Sequence, residues 1–144
     1  MIRGLKQIEE EINIIMDIWL EAAIAGHPFI RDSYWRSQYN VVRDYYLPGS
    51  QTYVYEEKGR IQGFISLIDQ KYIGALFVAG NARGKGIGSQ LIHFACNKHS
   101  DLELGVFAEN KRALAFYERH GFHVYSSDSD TDTGEKRYMM KRGF

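Results

Sequence analysis

The chain has 144 residues, 44% hydrophobic and 25% charged, which suits one domain, residues 1–144, able to bury a core without staples. Eighteen basic residues balance eighteen acidic ones, which argues against broad electrostatic attraction to nucleic acid. The single cysteine, Cys96, excludes an intrachain disulfide. No apolar run reaches membrane-spanning length, and the charged start MIRGLKQIEEE has no signal-peptide core, so a cytoplasmic location without a membrane partner is expected.

A short strand opens the chain at Ile2 to Leu5. Ile8, Ile12, Ile15, Met16, Trp19, Leu20 and Ala23 then fall on one stripe at helical spacing, and Gly26 and Pro28 end that helix. A second helix runs from Ser33 to Leu47, closed by Pro48 and Gly49. The period then changes. QTYVYEE reads as a strand, Lys58-Gly59 as a turn, and RIQGFISLID as the hairpin partner. KYIGALFVA is a third strand, with the near-continuous apolar character of a buried central position. Leu91, Ile92, Ala95 and Cys96 repeat at helical spacing, and DLELGVFA is another strand. Asn110 to His120 is a helix, with Gly121 placed as a left-handed C-cap. FHVYSS and KRYMMKR are two last strands around the polar stretch SSDSDTDTGE. The order β, α, α, β, β, β, α, β, α, β, β predicts an α/β fold of the α+β kind. A mixed sheet with helices packed on it in three layers is expected, not a regular βαβ alternation.

Between the third strand and the next helix stands RGKGIGSQL, with Gly84, Gly86 and Gly88 at alternate positions. A loop at a helix N-terminus presents free backbone N–H groups, and the helix dipole adds partial positive charge. Glycines let a ligand approach the main chain, and Arg83 and Lys85 add full charge. The sum suits a phosphate or diphosphate. A Walker P-loop requires a different spacing. A dinucleotide fingerprint requires GxGxxG after the first strand of a βαβ unit, and this stretch lies mid-chain after a hairpin. A plain glycine-rich connector with solvated cations is the bland alternative.

The spacing Arg83-x-x-Gly86-x-Gly88 resembles the acetyl-CoA pyrophosphate loop of the GNAT N-acetyltransferase superfamily. A second block, NKRALAFYERHGF at residues 110–122, resembles that family's other CoA-side motif, and one helix and one strand separate the two blocks, as in the family. The resemblance extends across residues 50–125 and more loosely over the whole chain. It implies a three-layer αβα fold with a central, mostly antiparallel sheet. It implies acetyl-CoA as co-substrate and transfer of acetyl to a primary amine by direct attack in a ternary complex, since no cysteine sits on a motif.

It also implies site residues. Arg83, Gly84, Lys85, Gly86, Ile87, Gly88 and Ser89 would hold the diphosphate. Phe77 and Val78 would bond the pantetheine amides through their backbone. Asn110, Ala113, Phe116 and Tyr117 would line the CoA side, with Tyr117 as the acid for the departing thiolate. Asn110 alone also reads as an N-cap, and Phe116 and Tyr117 also read as helix packing residues. A bulge or splay at Gly74 would open the cleft. Many members carry Glu at the position of Gly74, so the general base is open among Glu103, Tyr72, His27 and water. That departure keeps a non-catalytic CoA-binding or sensor module as the alternative, and a nucleotide-binding domain as a third reading.

The acceptor is an amine of a small molecule, a peptide or a protein. His27, Phe29, Tyr34, Trp35 and Tyr125 are candidate lining residues and do not choose among these. No metal is expected. Asp128, Asp130 and Asp132 mimic the start of a calcium loop, but Thr133 and Met139 occupy the positions where Gly and Glu are needed. His93, Cys96 and His99 share a helix without converging on one point.

Overall fold

A computed structural model describes residues 1–143; Phe144, the last residue of the expected domain, lies outside the described residues. The chain runs β1 (Ile2–Gly4), α1 (Glu9–Gly26), α2 (Asp32–Val41), β2 (Gln51–Glu57), β3 (Arg60–Ile68), β4 (Tyr72–Val78), α3 (Ile87–Lys98), β5 (Glu103–Phe107), α4 (Lys111–Arg119), β6 (Phe122–Ser129) and β7 (Lys136–Arg142). Every expected element forms, in the expected order. The helix predicted to Leu47 changes character at Val42: residues Val42–Tyr46 form a π-helical turn, closed by Leu47 N–H donating to the Val42 carbonyl at 2.8 Å. This wider turn delivers Leu47 into the core.

The strands form one sheet in the order β1-β2-β3-β4-β5-β7-β6. All pairs are antiparallel except β4 with β5. Lys58 and Gly59 both adopt left-handed backbone, which matches the twist of the β2–β3 hairpin. Helices α1 and α2 cover one face around Ile15, Met16, Trp19, Val54 and Phe64. Helix α3 covers the other around Leu91, Ile92, Ile65, Leu67, Leu104 and Met140, with α4 packed at the margin. The result is the three-layer αβα arrangement, with its two cores separated by the sheet.

Two features position the site. Ser66 pairs with Ala75 and Leu67 with Ile73, so Gly74 is an extra residue, a β-bulge where the sequence suggested one. Beyond it, β4 and β5 separate. Only Tyr72–Glu103 and Ile73–Leu104 are in register. The apolar run of β4 therefore does not mark full burial: only Ile73 of the strand is buried, Ala75 to Val78 are half-buried, and Leu76, Phe77 and Val78 wall an opening.

The helix stripe of α1 differs from the sequence pattern at both margins. Ile8 stands before the helix and is 48% exposed, while Ile18 and Ala22 join the buried face. Glu11 is also buried, held by Arg3. The Arg3 guanidinium donates to Glu11 at 3.0 and 2.8 Å and to Glu56 at 3.2 and 3.1 Å, and Lys6 N–H donates to Glu11 at 3.0 Å. The cluster ties α1 to β1 and β2. The Arg3 hydrogen bonds hold the Glu11 carboxyl below its ordinary value of 4.5. Its folded pKa lies below its unfolded one, so the stability it contributes is full above about pH 4.5 and is lost as pH falls through the lowered value. Arg3→Ala leaves the buried Glu11 carboxylate without its charged partner, with the Lys6 N–H remaining, and should cost about 2–3 kcal/mol. We expect a fall in melting temperature of roughly 5–10 °C at pH 7. The difference from the wild type should shrink in scans below pH 4.

Candidate active site

The separation of β4 from β5 opens a cleft of about 820 Å³. Its walls come from the end of α1, the second half of β4, the start of α3, and α4 with the two residues before it. Past Ile73, the β5-facing edge of β4 has no ladder partner among the described residues, so its backbone groups remain available to a ligand that runs along the strand. Leu76, Phe77 and Val78 line this edge.

At one end lies the glycine loop. Gly84 and Gly86 have φ of +78° and +80°, backbone that L side chains rarely adopt, which is the local reason for glycine there. Gly86 is the N-cap residue of α3, and no side chain of the described residues caps that helix. The first amides of a twelve-residue helix thus open onto the cleft without a partner among the described residues. Arg83, Lys111, Arg112 and Arg119 line the cleft against one carboxylate, Glu109. Uncapped amides, positive side chains and an unpaired strand edge together fit the diphosphate and pantetheine of CoA.

The structure brings nearly all the candidate residues to this cleft. Phe77, Val78, Arg83, Gly84, Gly86, Ile87, Gly88, Ser89, Asn110, Ala113, Phe116 and Tyr117 all line it. Lys85 does not: it stands exposed between two left-handed glycines, outside the lining. Ile87 contributes main chain alone, because its side chain is buried in the core. The Ser89 hydroxyl lies 3.1 Å from Nε2 of His120. Residues with no sequence assignment also appear: Ala22, Ala25 and Gly26 from α1, and Lys111, Arg112 and Arg119 from α4. The three cations were readable within or beside the second motif. The small residues of α1 carried no signal, because only packing brings that helix end to the cleft.

Tyr117 is half-buried, with its ring edge-on to Phe116 at 5.2 Å and Phe122 at 5.8 Å. Burial pushes its phenol well above the ordinary value of 10, and the proximity of Tyr72 adds to the shift. It is therefore a neutral hydroxyl, a donor, throughout the physiological range.

Asn110 and His27 form a closed set. Asn110 Oδ1 accepts from Ala113 N–H at 3.3 Å, the expected N-cap. Its Nδ2 faces His27 Nε2 at 3.3 Å. His27 Nδ1 lies 2.6 Å from the Ala23 carbonyl oxygen, which can only accept, so Nδ1 carries the proton. Nε2 is then the bare nitrogen that receives Asn110. Burial lowers the His27 pKa, which keeps the ring neutral.

None of the three candidate side-chain bases offers a free lone pair to the cleft. Both ring nitrogens of His27 are engaged. Glu103 sits at the closed end of the β4–β5 pair, bound by Lys71 at 3.2 Å and by the Tyr125 hydroxyl, whose hydrogen bond leads in holding its carboxyl low. The Tyr72 phenol is raised by burial, so it too stays protonated.

Other groups are used structurally. Arg137 holds Asp128 at 2.9 and 3.0 Å and lies 3.9 Å from Asp130, while Thr133 donates to Asp130 at 3.0 and 2.8 Å. The acidic stretch is a self-bonded hairpin end. Cys96 is half-buried outside the cleft lining, and burial raises its thiol. Among the described residues no helix is long and apolar enough to cross a membrane.

The chain matches the family model "Acetyltransferase (GNAT) domain" over residues 23–141. It is 40% identical over 130 residues to the peptidyl-lysine N-acetyltransferase YiaC of Escherichia coli K12, covering 90% of this chain and 89% of that protein. The solution structure of apo YjaB from E. coli superposes with a TM-score of 0.82 at 26% identity, covering 98% and 97% of the two chains. An aminoglycoside 6'-N-acetyltransferase solved with coenzyme A shares the fold, with a TM-score of 0.72 at 14% identity over 99% and 96% of the chains. Motifs, cleft and relatives agree: the chain is an N-acetyltransferase and belongs to the GNAT family, which uses acetyl-CoA.

Proposed function

We propose that this chain binds acetyl-CoA in the β4–β5 cleft and passes the acetyl group to the side-chain amine of a lysine in a peptide or protein, within one cytoplasmic domain spanning the sequence. The observation that carries the reading is the uncapped start of α3 beside an unpaired β4 edge, with Tyr117 in the lining of the same cleft. The peptidyl-lysine acceptor is supported by the name of the 40% identical relative.

Bound acetyl-CoA supplies the electrophilic thioester carbon. The α3 amides of Ile87, Gly88 and Ser89, together with Arg83, hold the diphosphate, and Lys111, Arg112 and Arg119 set a positive field along the cleft. The main chain of Phe77 and Val78 aligns the pantetheine arm, while Asn110, Ala113 and Phe116 form the facing wall. The amine nitrogen attacks the carbonyl carbon as the carbon–sulfur bond breaks, and Tyr117 donates a hydrogen bond to the departing sulfur. Its raised phenol is a weaker acid than a thiol near 8.5, so its part is stabilisation of the thiolate more than complete proton transfer. Cys96, outside the cleft, supports direct transfer over an acyl-enzyme. With His27, Glu103 and Tyr72 engaged or protonated, the amine proton leaves to water.

Turnover measured as free thiol release with acetyl-CoA and a lysine peptide tests this. We expect activity on the peptide, and little when its lysine is replaced by arginine. The logarithm of kcat/KM should rise with pH toward the free amine's own pKa, about 10.4, with no earlier plateau from an enzyme base. CoA binding without turnover on any amine would replace this reading with a binding module.

A further inference from the structure

We infer that His27 is a positioning residue, a neutral hydrogen-bond acceptor that holds Asn110 and, through it, the α4 wall of the cleft in register with α1. The inference rests on the acetyl-CoA reading of that cleft. Its basis is a gap in the sheet. Only two register pairs join β4 to β5, both at the closed end, so the ladder does not hold the open ends where the ligand would lie. Helix α1 packs on the β4 side, against Ala75 and Phe77. Asn110 leads α4 from the β5 side. The His27–Asn110 hydrogen bond crosses between them, joining residues 83 positions apart.

The surroundings fix the ring. Trp35 lies over it at 4.8 Å with 33° between planes, and Phe29 and Phe107 stand edge-on at 5.7 and 5.4 Å. His27 is 8% exposed, and its Nδ1–H is committed to the Ala23 carbonyl. That commitment forces the tautomer with a bare Nε2. The Asn110 orientation is forced in the same way, because Oδ1 accepts from Ala113 N–H and leaves Nδ2 to donate. Each group is held in one state by a backbone partner, and the two states are complementary. His27 touches no reacting atom in this scheme. It acts on how well the cleft is formed before the ligand arrives.

The test uses three variants of the full chain. His27→Phe keeps a planar ring but has no acceptor. His27→Gln places a side-chain oxygen near the position of Nε2. Asn110→Ser can still cap α4 but cannot reach His27. We expect His27→Phe to raise both the Kd and the KM for acetyl-CoA about tenfold, the loss of one hydrogen bond, while kcat changes less than threefold. His27→Gln should recover most of that affinity. The double variant His27→Phe/Asn110→Ser should bind no worse than the weaker single variant, since both remove one shared contact.

In the ligand-free wild type, long-range 15N–1H spectra of the histidine ring should show a protonated Nδ1 and a bare Nε2. The Asn110 side-chain amide signals should shift in His27→Phe. An Nε2–H tautomer, wild-type acetyl-CoA affinity in His27→Phe, equal loss in Phe and Gln, or additive loss in the double variant would each overturn the assignment while leaving the acetyl-CoA reading intact. Failure of the wild type to bind acetyl-CoA at all would overturn both.

Discussion

Gly86→Glu should abolish acetyl-CoA binding, raising the Kd by more than a hundredfold. Two effects add. The residue sits at φ +80°, where a side chain costs roughly 1–2 kcal/mol or forces the loop to move. A carboxylate about 5 Å from a phosphate charge then costs about 3 kcal/mol at an effective dielectric of about 20. A Cβ at Gly86 meets nothing within 4 Å, so the fold has room for the substitution. The left-handed backbone is strained by any side chain despite that room, so the melting temperature of the ligand-free variant should fall by a few degrees, about as much as in Gly86→Ala. Gly86→Ala separates the two effects, because it adds strain without charge, and its Kd should rise no more than about tenfold. Calorimetric titration with CoA on wild type and both variants reads this directly. Wild-type affinity in Gly86→Glu would show that the cradle lies elsewhere.

Tyr117→Phe should leave acetyl-CoA affinity within about threefold of wild type and lower kcat about a hundredfold, the lower end of what a preorganised hydrogen-bond donor contributes. Burial and the proximity of Tyr72 are what act on its hydroxyl, with no hydrogen-bond partner among the described residues, so stability at neutral pH should be close to wild type. The pH behaviour gives an independent check. The folded pKa lies above the ordinary 10, so the protonated donor persists to higher pH than a free phenol does. The wild type should show no Tyr117-dependent loss of rate below pH 10. For stability the same shift works in the alkaline range: a raised folded pKa means the contribution is present below about pH 10 and is lost as pH rises through the folded value. A variant that kept full rate would remove the donor role and leave Tyr117 as a packing residue of α4.

The two motifs were legible because their chemistry is local. Gly84 and Gly86 are needed where two consecutive turns of backbone enter the left-handed region, and Gly121 at φ +89° ends α4 for the same reason. The stripe of α1 and the alternation of β2 and β3 reflect periods of a few residues, which a linear reading can follow. The bulge at Gly74 was also foreshadowed, since a strand glycine marks a place where the ladder can be interrupted. What the bulge does was not legible. The opening of the cleft depends on the pairing lengths of β4 with β3 on one side and with β5 on the other.

The candidate bases show where linear reading stops. His27, Glu103 and Tyr72 each had chemistry suited to accept a proton. Their availability depended on partners far away in sequence: Asn110 for His27, Tyr125 for Glu103, and a burying environment for Tyr72. Lys85 is the converse. Its place in the motif suggests a phosphate ligand, and it stands exposed between two left-handed glycines, apart from the residues that line the cleft.

The amino-acid sequence by itself determined the order of elements, the αβα class, the glycine loop before α3 and the family to which the chain belongs. Those features follow from local backbone preference, hydrophobic period and motif spacing. The tertiary structure alone decided which nitrogen of His27 is free to accept, which carboxylate the Arg3 guanidinium buries, and that α1 supplies part of the cleft wall. These depend on contacts between residues tens of positions apart, whose distances are set by sheet register and helix packing and leave no periodic trace along the chain.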